Sequence, residues 1–187
     1  MERKSYNLPN HVHFLTFSCY RRQQLLTEDF VRMQLLNSWD SARREVGFAI
    51  WSYVIMPEHV HLLVYPHQLQ YQIAGILRIL KEPFSRWLVR HWNDHAPHFL
   101  GRITVRRGGR VVRRFWQEGG GYDRNLFDWG VIERAAEYIE WNPVRRGLVS
   151  DSLQWKWSSA RARAGLSDGP LVIDPIDLEV SGPGDAL

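Results

Sequence analysis

The sequence predicts an α+β chain built on one antiparallel sheet with helices packed on one face, in the ferredoxin-like or RNA-recognition-like arrangement. Three observations predict it. Residues 12–20, 48–56 and 59–65 are apolar runs rich in β-branched and aromatic side chains, the composition of strands. Two further stretches carry apolar residues at helical spacing. Their order (strand, helix, strand, strand, helix, then a strand or hairpin) is the β-α-β-β-α-β pattern. Many functions share this fold, so the chemistry has to be argued from particular residues.

The first strand, VHFLTFSCY, runs into a polar break at Arg21-Arg22-Gln23-Gln24. Thr27 is the candidate cap of the first helix, with Glu28 and Asp29 in its first turn; Val31, Leu35, Trp39, Ala42 and Val46 recur at helical spacing and Gly47 ends it. FAIWSYVIM and HVHLLVY are the second and third strands, joined by a turn at Pro57-Glu58. Ile73, Ile76, Leu77, Leu80, Phe84, Trp87 and Leu88 place a second helix over 70–92, in which Pro83 predicts a kink. Residues 93–101 read as a loop. RITVRRGGRVVRRFW, residues 102–116, reads as a hairpin turning at Gly108-Gly109, and Gly119-Gly120-Gly121 as a flexible joint. Asp128 is placed to cap a last helix that Pro143 terminates. Beyond Gly165 the chain is rich in Gly, Pro, Ser and Asp. The organisation expected is therefore one folded domain, 1–164, and a loose acidic tail, 165–187.

Composition narrows the function classes. A chain of 187 residues, 44% hydrophobic and 13% aromatic, can bury one sizeable core. The single cysteine, Cys19, allows no disulfide framework and no cysteine-based zinc site, and fits a reducing cytosol. The N-terminus runs into polar residues, and no apolar run approaches the ~20 residues that span a bilayer, so no membrane partner is expected. The net charge of +4 favours an anionic partner, and Arg102, Arg106, Arg107, Arg110, Arg113 and Arg114 concentrate positive charge in the hairpin. Such clustering suits a nucleic-acid backbone; it also suits a solvated hairpin face.

The chemistry-bearing segment is Met56-Pro57-Glu58-His59-Val60-His61-Leu62-Leu63-Val64. Side chains two apart on a strand share a face, so His59 and His61 point together while Val60 points into the core. Two imidazoles so placed can hold one divalent metal, although two polar residues on an open sheet face have the same spacing. His11-Val12-His13 repeats the pattern at the start of the first strand, a neighbour of the third in this fold, and is a competing ligand pair. In the last helix Tyr138 and Asn142 lie four apart on one face, beside an apolar stripe of Ile132, Ala135, Ala136 and Ile139. Laid across the sheet, that helix would present Tyr138 as a nucleophile and Asn142 as an oxygen ligand. A core tyrosine and an asparagine at a helix end fit the spacing equally. Tyr122, after the triple glycine, is a rival nucleophile or a packing residue. Trp116, Trp155 and Trp157 are candidates for base stacking or for core.

The motifs PEHVHLLV, YIEWNPVRRGLV and WKWSSARA, in that order, together with the early FLTF…RRQQLLT segment, resemble the REP-associated tyrosine transposases. These are bacterial relatives of the IS200/IS605 single-tyrosine, His-hydrophobic-His (HUH) transposases. The resemblance spans about residues 10 to 163 and identifies 1–164 with the transposase catalytic domain. It implies His59, His61 and Asn142 as ligands of Mg²⁺ or Mn²⁺ and Tyr138 as the single nucleophile. It further implies nicking and rejoining of single-stranded DNA beside a REP-like hairpin through a 5′-phosphotyrosine. A cytoplasmic, nucleoid-associated location follows from the same resemblance. The residues alone leave two alternatives: a non-catalytic RNA-recognition-like binding domain, and a metal-dependent hydrolase that uses water. They do not fix whether the protein is a monomer or a dimer.

Overall fold

The computed structural model describes residues 6–166 and 168–176. In chain order the elements are β1 (Val12–Ser18), α1 (Asp29–Val46), β2 (Phe48–Ile55), β3 (His59–Pro66), α2 (Ile73–His95), α3 (Leu100–Ile103), β4 (Thr104–Arg107), β5 (Arg110–Arg113), β6 (Tyr122–Leu126), α4 (Trp129–Glu140), α5 (Asn142–Arg145) and α6 (Ala160–Arg163). A four-stranded antiparallel sheet runs in the order β2-β3-β1-β6. This is the ferredoxin-like order, with β6 as the fourth strand. Among the described residues no helix is long and apolar enough to cross a membrane.

The alternation of side chains divides the core between the two faces of the sheet. Leu15, Phe17, Val60, Leu62 and Val64 pack against α1 and α2 through Leu35, Trp39, Leu80 and Phe84. Val12, Leu63, Tyr65 and Trp51 pack on the opposite face against Ile132, Ala136 and Ile139 of α4. The two crossover helices thus take one face, as the pattern predicts, and the last helix covers the other. Every residue of β2 and β3 is buried, which is why these two strands read as unbroken apolar runs and not as alternating ones. A bulge between Ile50 and Ser52 turns both Trp51 and Ser52 towards α4.

Several local expectations change. Residues 102–116 do not supply the fourth strand of the sheet: β4 and β5 pair only with each other, in a separate ribbon turning through Gly108 (φ 55°) and Gly109 (φ 76°). The fourth strand lies beyond the triple glycine. Gly121 is there for close approach and not for flexibility, because a Cβ on it would sit 2.2 Å from the Thr16 carbonyl oxygen. Glu28, not Thr27, occupies the start of α1, without a side-chain cap. The region read as a loop, 93–101, holds the end of α2, a 3-10 turn at Pro97–Phe99 and the start of α3. α2 continues through Pro83; in the preceding turn the carbonyls of Leu80 and Lys81 accept from the indole N–H groups of Trp39 (3.1 Å) and Trp116 (3.0 Å).

β2 is an edge strand, and its outer backbone groups need partners. Segment 157–159 supplies some: the Ile55 N–H donates to the Trp157 carbonyl (2.8 Å) and the Ser159 N–H to the Tyr53 carbonyl (3.0 Å). The described part of the expected loose tail supplies partners for Ile50. Leu171 is buried, the Asp174 N–H donates to the Ile50 carbonyl (3.1 Å), and the Asp174 carboxylate accepts from the Ile50 N–H (2.8 Å) and from Arg43 (2.7 Å). Asp174, in a tail that reads as loose and acidic, therefore closes the sheet edge at Ile50, and residues 177–187 lie outside the described part. Asp174→Ala leaves a buried N–H unpaired and should lower stability by about 1 kcal/mol, read as a lower urea midpoint at unchanged slope. An unchanged midpoint would mean that 168–176 does not hold this edge.

Candidate metal centre and nucleophile

His59 and His61 open β3 directly after the two-residue turn at Pro57-Glu58, which is closed by the Met56 N–H donating to the His59 carbonyl (2.8 Å). Both side chains face α4, and both are buried, at 4% and 7% exposure, so this is not an open polar face. Each ring is fixed through Nδ1. His59 Nδ1 lies 3.0 Å from Glu58 Oε1, and His61 Nδ1 lies 2.7 Å from Thr16 Oγ1, directly across the β1–β3 ladder. The Glu58 carboxylate can only accept, which puts the His59 proton on Nδ1; in the tautomer in which His61 likewise donates from Nδ1 to Thr16, both Nε2 atoms, 3.0 Å apart, present lone pairs to one place. Burial lowers the pKa of His59, and burial together with His59 lowers that of His61 to about 3, so both rings are neutral and free to ligate.

The third group comes from the other face of the site. α4 is seated by Ile132, Ala136 and Ile139 and capped by Asp128, whose carboxylate accepts from the Val131 N–H (2.9 Å). At its C-terminal end the buried Glu140 carboxylate accepts from Ser159 Oγ (2.7 Å) and pairs with Arg163 (3.3 Å), with burial holding its pKa up. Trp141 then carries the chain into α5, so that Pro143 begins a new turn and Asn142 is buried. Asn142 Nδ2 lies 3.3 Å from His61 Nε2, while its Oδ1 is buried without a hydrogen-bond partner. The two amide ends exchange by a half-turn of the side chain, which brings the oxygen to the point where both Nε2 atoms aim. Two neutral imidazoles and an amide oxygen fit one divalent cation. Among the described residues no three His, Cys, Asp or Glu side chains converge, and the amide of Asn142 is the further oxygen beside the histidine pair.

Tyr138 stands on the flank of α4, 39% exposed, with its ring centroid 5.8 Å from that of His61. Phe14 stacks on His61 (5.6 Å, 14°) and meets Tyr138 edge-on (6.2 Å), and the Arg145 guanidinium lies 4.8 Å over the Tyr138 ring. His59, His61, Asn142 and Tyr138 therefore come together. Tyr122 stands beside Phe14, with ring centroids 5.9 Å apart, on the side of that ring towards β6. His13 is excluded as a ligand: it is fully buried, and both its nitrogens are occupied, by Asp123 Oδ1 (2.7 Å) and the Tyr71 hydroxyl (2.6 Å). His11 packs against Phe127. Trp116 and Trp157 are core, and Trp155 is half-buried with its indole N–H donating to the Ile55 carbonyl (3.1 Å).

The arginine cluster divides. Arg102 bonds Gln23 and Gln24, and Arg107 and Arg114 pair with Glu118, whereas Arg106, Arg110 and Arg113 form no ion pair among the described residues. None of the six reaches the histidines. Residues not singled out from the sequence do reach them: Thr16 and Phe14 from β1 and Glu58 from the turn, with Arg146 behind Glu58 at 3.2 Å. Glu58 and Arg146 stand inside the motifs PEHVHLLV and YIEWNPVRRGLV. Thr16 and Phe14 stand in the early first-strand segment, but only the strand register shows that they face the histidines.

The lowered pKa of His61 has a consequence for stability in metal-free protein. Between the unfolded pKa of ~6.5 and about 3, the unfolded chain binds the proton that the folded chain refuses, so stability falls as pH drops through that window. His61→Gln removes this contribution. In chelator, wild type should lose more thermal stability than His61→Gln between about pH 7 and about pH 5. Equal losses would mean that the His61 ring is solvated.

Known proteins share this architecture. The family model described as transposase, IS200-like, matches residues 6–108, more than half of the chain. The chain is 24% identical over 148 residues, 79% of its length and 78% of the relative's, to a Haemophilus influenzae protein described as a REP-associated tyrosine transposase. It is similar in fold, with a TM-score of 0.69 and 21% identity over 96% of this chain and 95% of the other, to the solved structure of a REP-associated tyrosine transposase bound to a REP hairpin. A metal-ready histidine pair beside a tyrosine, on a sheet whose family model spans β1 to the β4–β5 turn, thus has its place: the chain is an enzyme of the IS200-like transposase family.

Proposed function

We propose that this transposase nicks and rejoins single-stranded DNA beside a hairpin, with Tyr138 as nucleophile and with His59, His61 and Asn142 holding Mg²⁺ or Mn²⁺. The observation that carries the reading is the pair of neutral imidazoles with their Nε2 atoms 3.0 Å apart and the buried Asn142 amide against them, its oxygen without a partner, with the Tyr138 ring 5.8 Å from His61. A cation bound there supplies Lewis acidity to the phosphate oxygens and offsets their charge.

The chain's own residues do the rest. The Tyr138 oxygen attacks phosphorus, the bond from phosphorus to the 3′ oxygen breaks, and a 5′-phosphotyrosine forms. The phenol proton departs to water, which the exposure of Tyr138 allows, and the 3′ oxygen takes a proton to leave as a hydroxyl. Rejoining is the reverse: a 3′-hydroxyl attacks the phosphotyrosine and Tyr138 recovers its proton. No nucleotide triphosphate is required, because the new phosphodiester keeps the energy of the broken one. Arg145, over the Tyr138 ring, is placed to pair with a phosphate as the tyrosine approaches it. The exposed arginines of the β4–β5 ribbon, Arg106, Arg110 and Arg113, suit a DNA backbone, and the relative solved with a REP hairpin supports a hairpin-bearing partner.

An RNA-recognition-like binder needs an open sheet face for stacking bases, and here α4 covers one side of the sheet's middle while α1 and α2 cover the other. A water-using hydrolase gives Tyr138 no role. Denaturing gels of the protein with labelled hairpin DNA and Mn²⁺ decide between the readings. A covalent adduct should form with wild type and with Tyr122→Phe and be lost in Tyr138→Phe, and its yield should drop at least a hundredfold in His59→Ala, since losing a ligand typically costs several kcal/mol of charge stabilisation. Cleavage without an adduct would favour the hydrolase, and an adduct lost only in Tyr122→Phe would transfer the nucleophile's role to that residue.

A further inference from the structure

The cover that α4 gives the sheet stops short of its β6 edge. Under the flank of α4 that carries Tyr138 there is a cavity of about 430 Å³, within the size range of small-ligand sites. Strand alternation builds it: Tyr122, Arg124 and Leu126 of β6 face α4, whereas Asp123 faces the other way and binds His13. Phe14 and Tyr122 stand 5.9 Å apart at 75°, and Phe14 is the same ring that stacks on His61 and meets Tyr138 edge-on. Leu126 and Val131 line it with aliphatic surface, and Arg124 and Arg134 bring two guanidinium groups. Among the described residues neither arginine lies within ion-pair distance of a carboxylate.

Aromatic walls, an aliphatic lining and two uncompensated cations beside the candidate nucleophile describe a ligand with a flat π-face and negative charges next to it. The geometry points to a nucleotide subsite: the cavity takes the unpaired base of a nucleotide adjoining the scissile phosphate, stacked on Tyr122 with its edge towards Phe14, while Arg124 and Arg134 hold the flanking phosphates. This rests on the reading of Tyr138 as the nucleophile for the identity of that phosphate, and it gives Tyr122 a role that is not nucleophilic. The lining is aromatic and aliphatic apart from the exposed arginines and the tyrosine hydroxyls, so the base is held chiefly by stacking, with little preference for its identity. A base seated here brings its own backbone alongside the Tyr138 ring, which is the entropic help that a weak phenol nucleophile needs.

The test uses the full chain in chelator, so that it needs no chemistry. A hairpin oligonucleotide carries 2-aminopurine at successive positions of its single-stranded flanks. Binding should quench one position, and only one or its immediate neighbour. Tyr122→Ala should abolish that quenching and weaken binding about tenfold, Tyr122→Phe should restore both, and Arg124→Gln with Arg134→Gln should weaken binding and lower its salt dependence by up to two charges. Urea midpoints of the variants check that each is folded. No quenching at any position, or quenching indifferent to Tyr122→Ala in folded protein, overturns the subsite. The adduct gels fail separately: quenching lost in Tyr122→Ala with no adduct in any protein would keep the subsite and remove Tyr138 as nucleophile.

Discussion

The structure turns on two imidazole nitrogens, Nε2 of His59 and of His61, held 3.0 Å apart in a buried place. Two lone pairs at that distance are not a stable end in themselves, and a surface pair would rotate apart or take up protons. What prevents this is the occupation of both Nδ1 positions. Thr16 lies opposite His61 in the β1–β3 register, so the central pairing of the sheet sets one ring; Glu58, one residue before His59, sets the other. Glu58 is held in turn by Arg146 at 3.2 Å and more distantly by Arg22 at 3.9 Å, which ties the ring angle of His59 to the chain beyond α5.

The position of α4 follows from the same constraint. The helix must lie close enough to bring Asn142 within 3.3 Å of His61 and yet leave Tyr138 open to solvent. A purely apolar contact does not fix a helix along its axis. Here polar contacts at both ends do: Asp128 caps the N-terminus, and Glu140 is buried among Ser52, Ser159 and Arg163 at the C-terminus. Ser52 can face Glu140 because the β2 bulge breaks the alternation just there, and Ser159 belongs to the segment that closes the β2 edge. The WKWSSARA motif therefore does two things, sealing an edge strand and locking the helix that carries the tyrosine.

Much of this was legible in the sequence, and the remainder was hidden for definable reasons. Apolar runs of β-branched and aromatic residues mark β1, β2 and β3, the 3.6-residue period marks α1 and α2, Asp128 and Pro143 bracket α4, and the spacing of His59, Val60 and His61 marks the shared face. Local chemistry could not tell an exposed His-x-His from a buried one, because burial of His59 and His61 depends on α4, far along the chain. The fourth strand was missed because YDRNL alternates polar residues on an edge, whereas the β4–β5 ribbon has the stronger strand composition and pairs only with itself. The competing pair failed for a reason no spacing contains: Asp123 and Tyr71, distant in sequence, take both nitrogens of His13. Asp174 was misread because an acidic side chain is expected in solvent unless an unpaired backbone N–H waits for it, and the need arises only once β2 is known to be an edge.

On the proposed reading, the charge of the site completes the logic. Two imidazoles kept neutral by burial and one amide oxygen carry no formal charge, so a divalent cation among them would keep its double charge towards the DNA phosphate. The nearest carboxylate, Glu58, acts from behind His59, where Arg146 and Arg22 offset it. A neutral donor set of this kind binds a cation weakly by itself, because no ligand anion contributes Coulombic attraction. The missing negative charge comes with the substrate phosphate, so cation and DNA each raise the affinity for the other, reciprocally and by the same factor. Arg145 lies outside the donor set and keeps its own charge for the same anion. The chain thus withholds carboxylates from the place where the phosphate must sit and puts its positive charge around it. That arrangement makes the tyrosine useful only when metal and strand are both present.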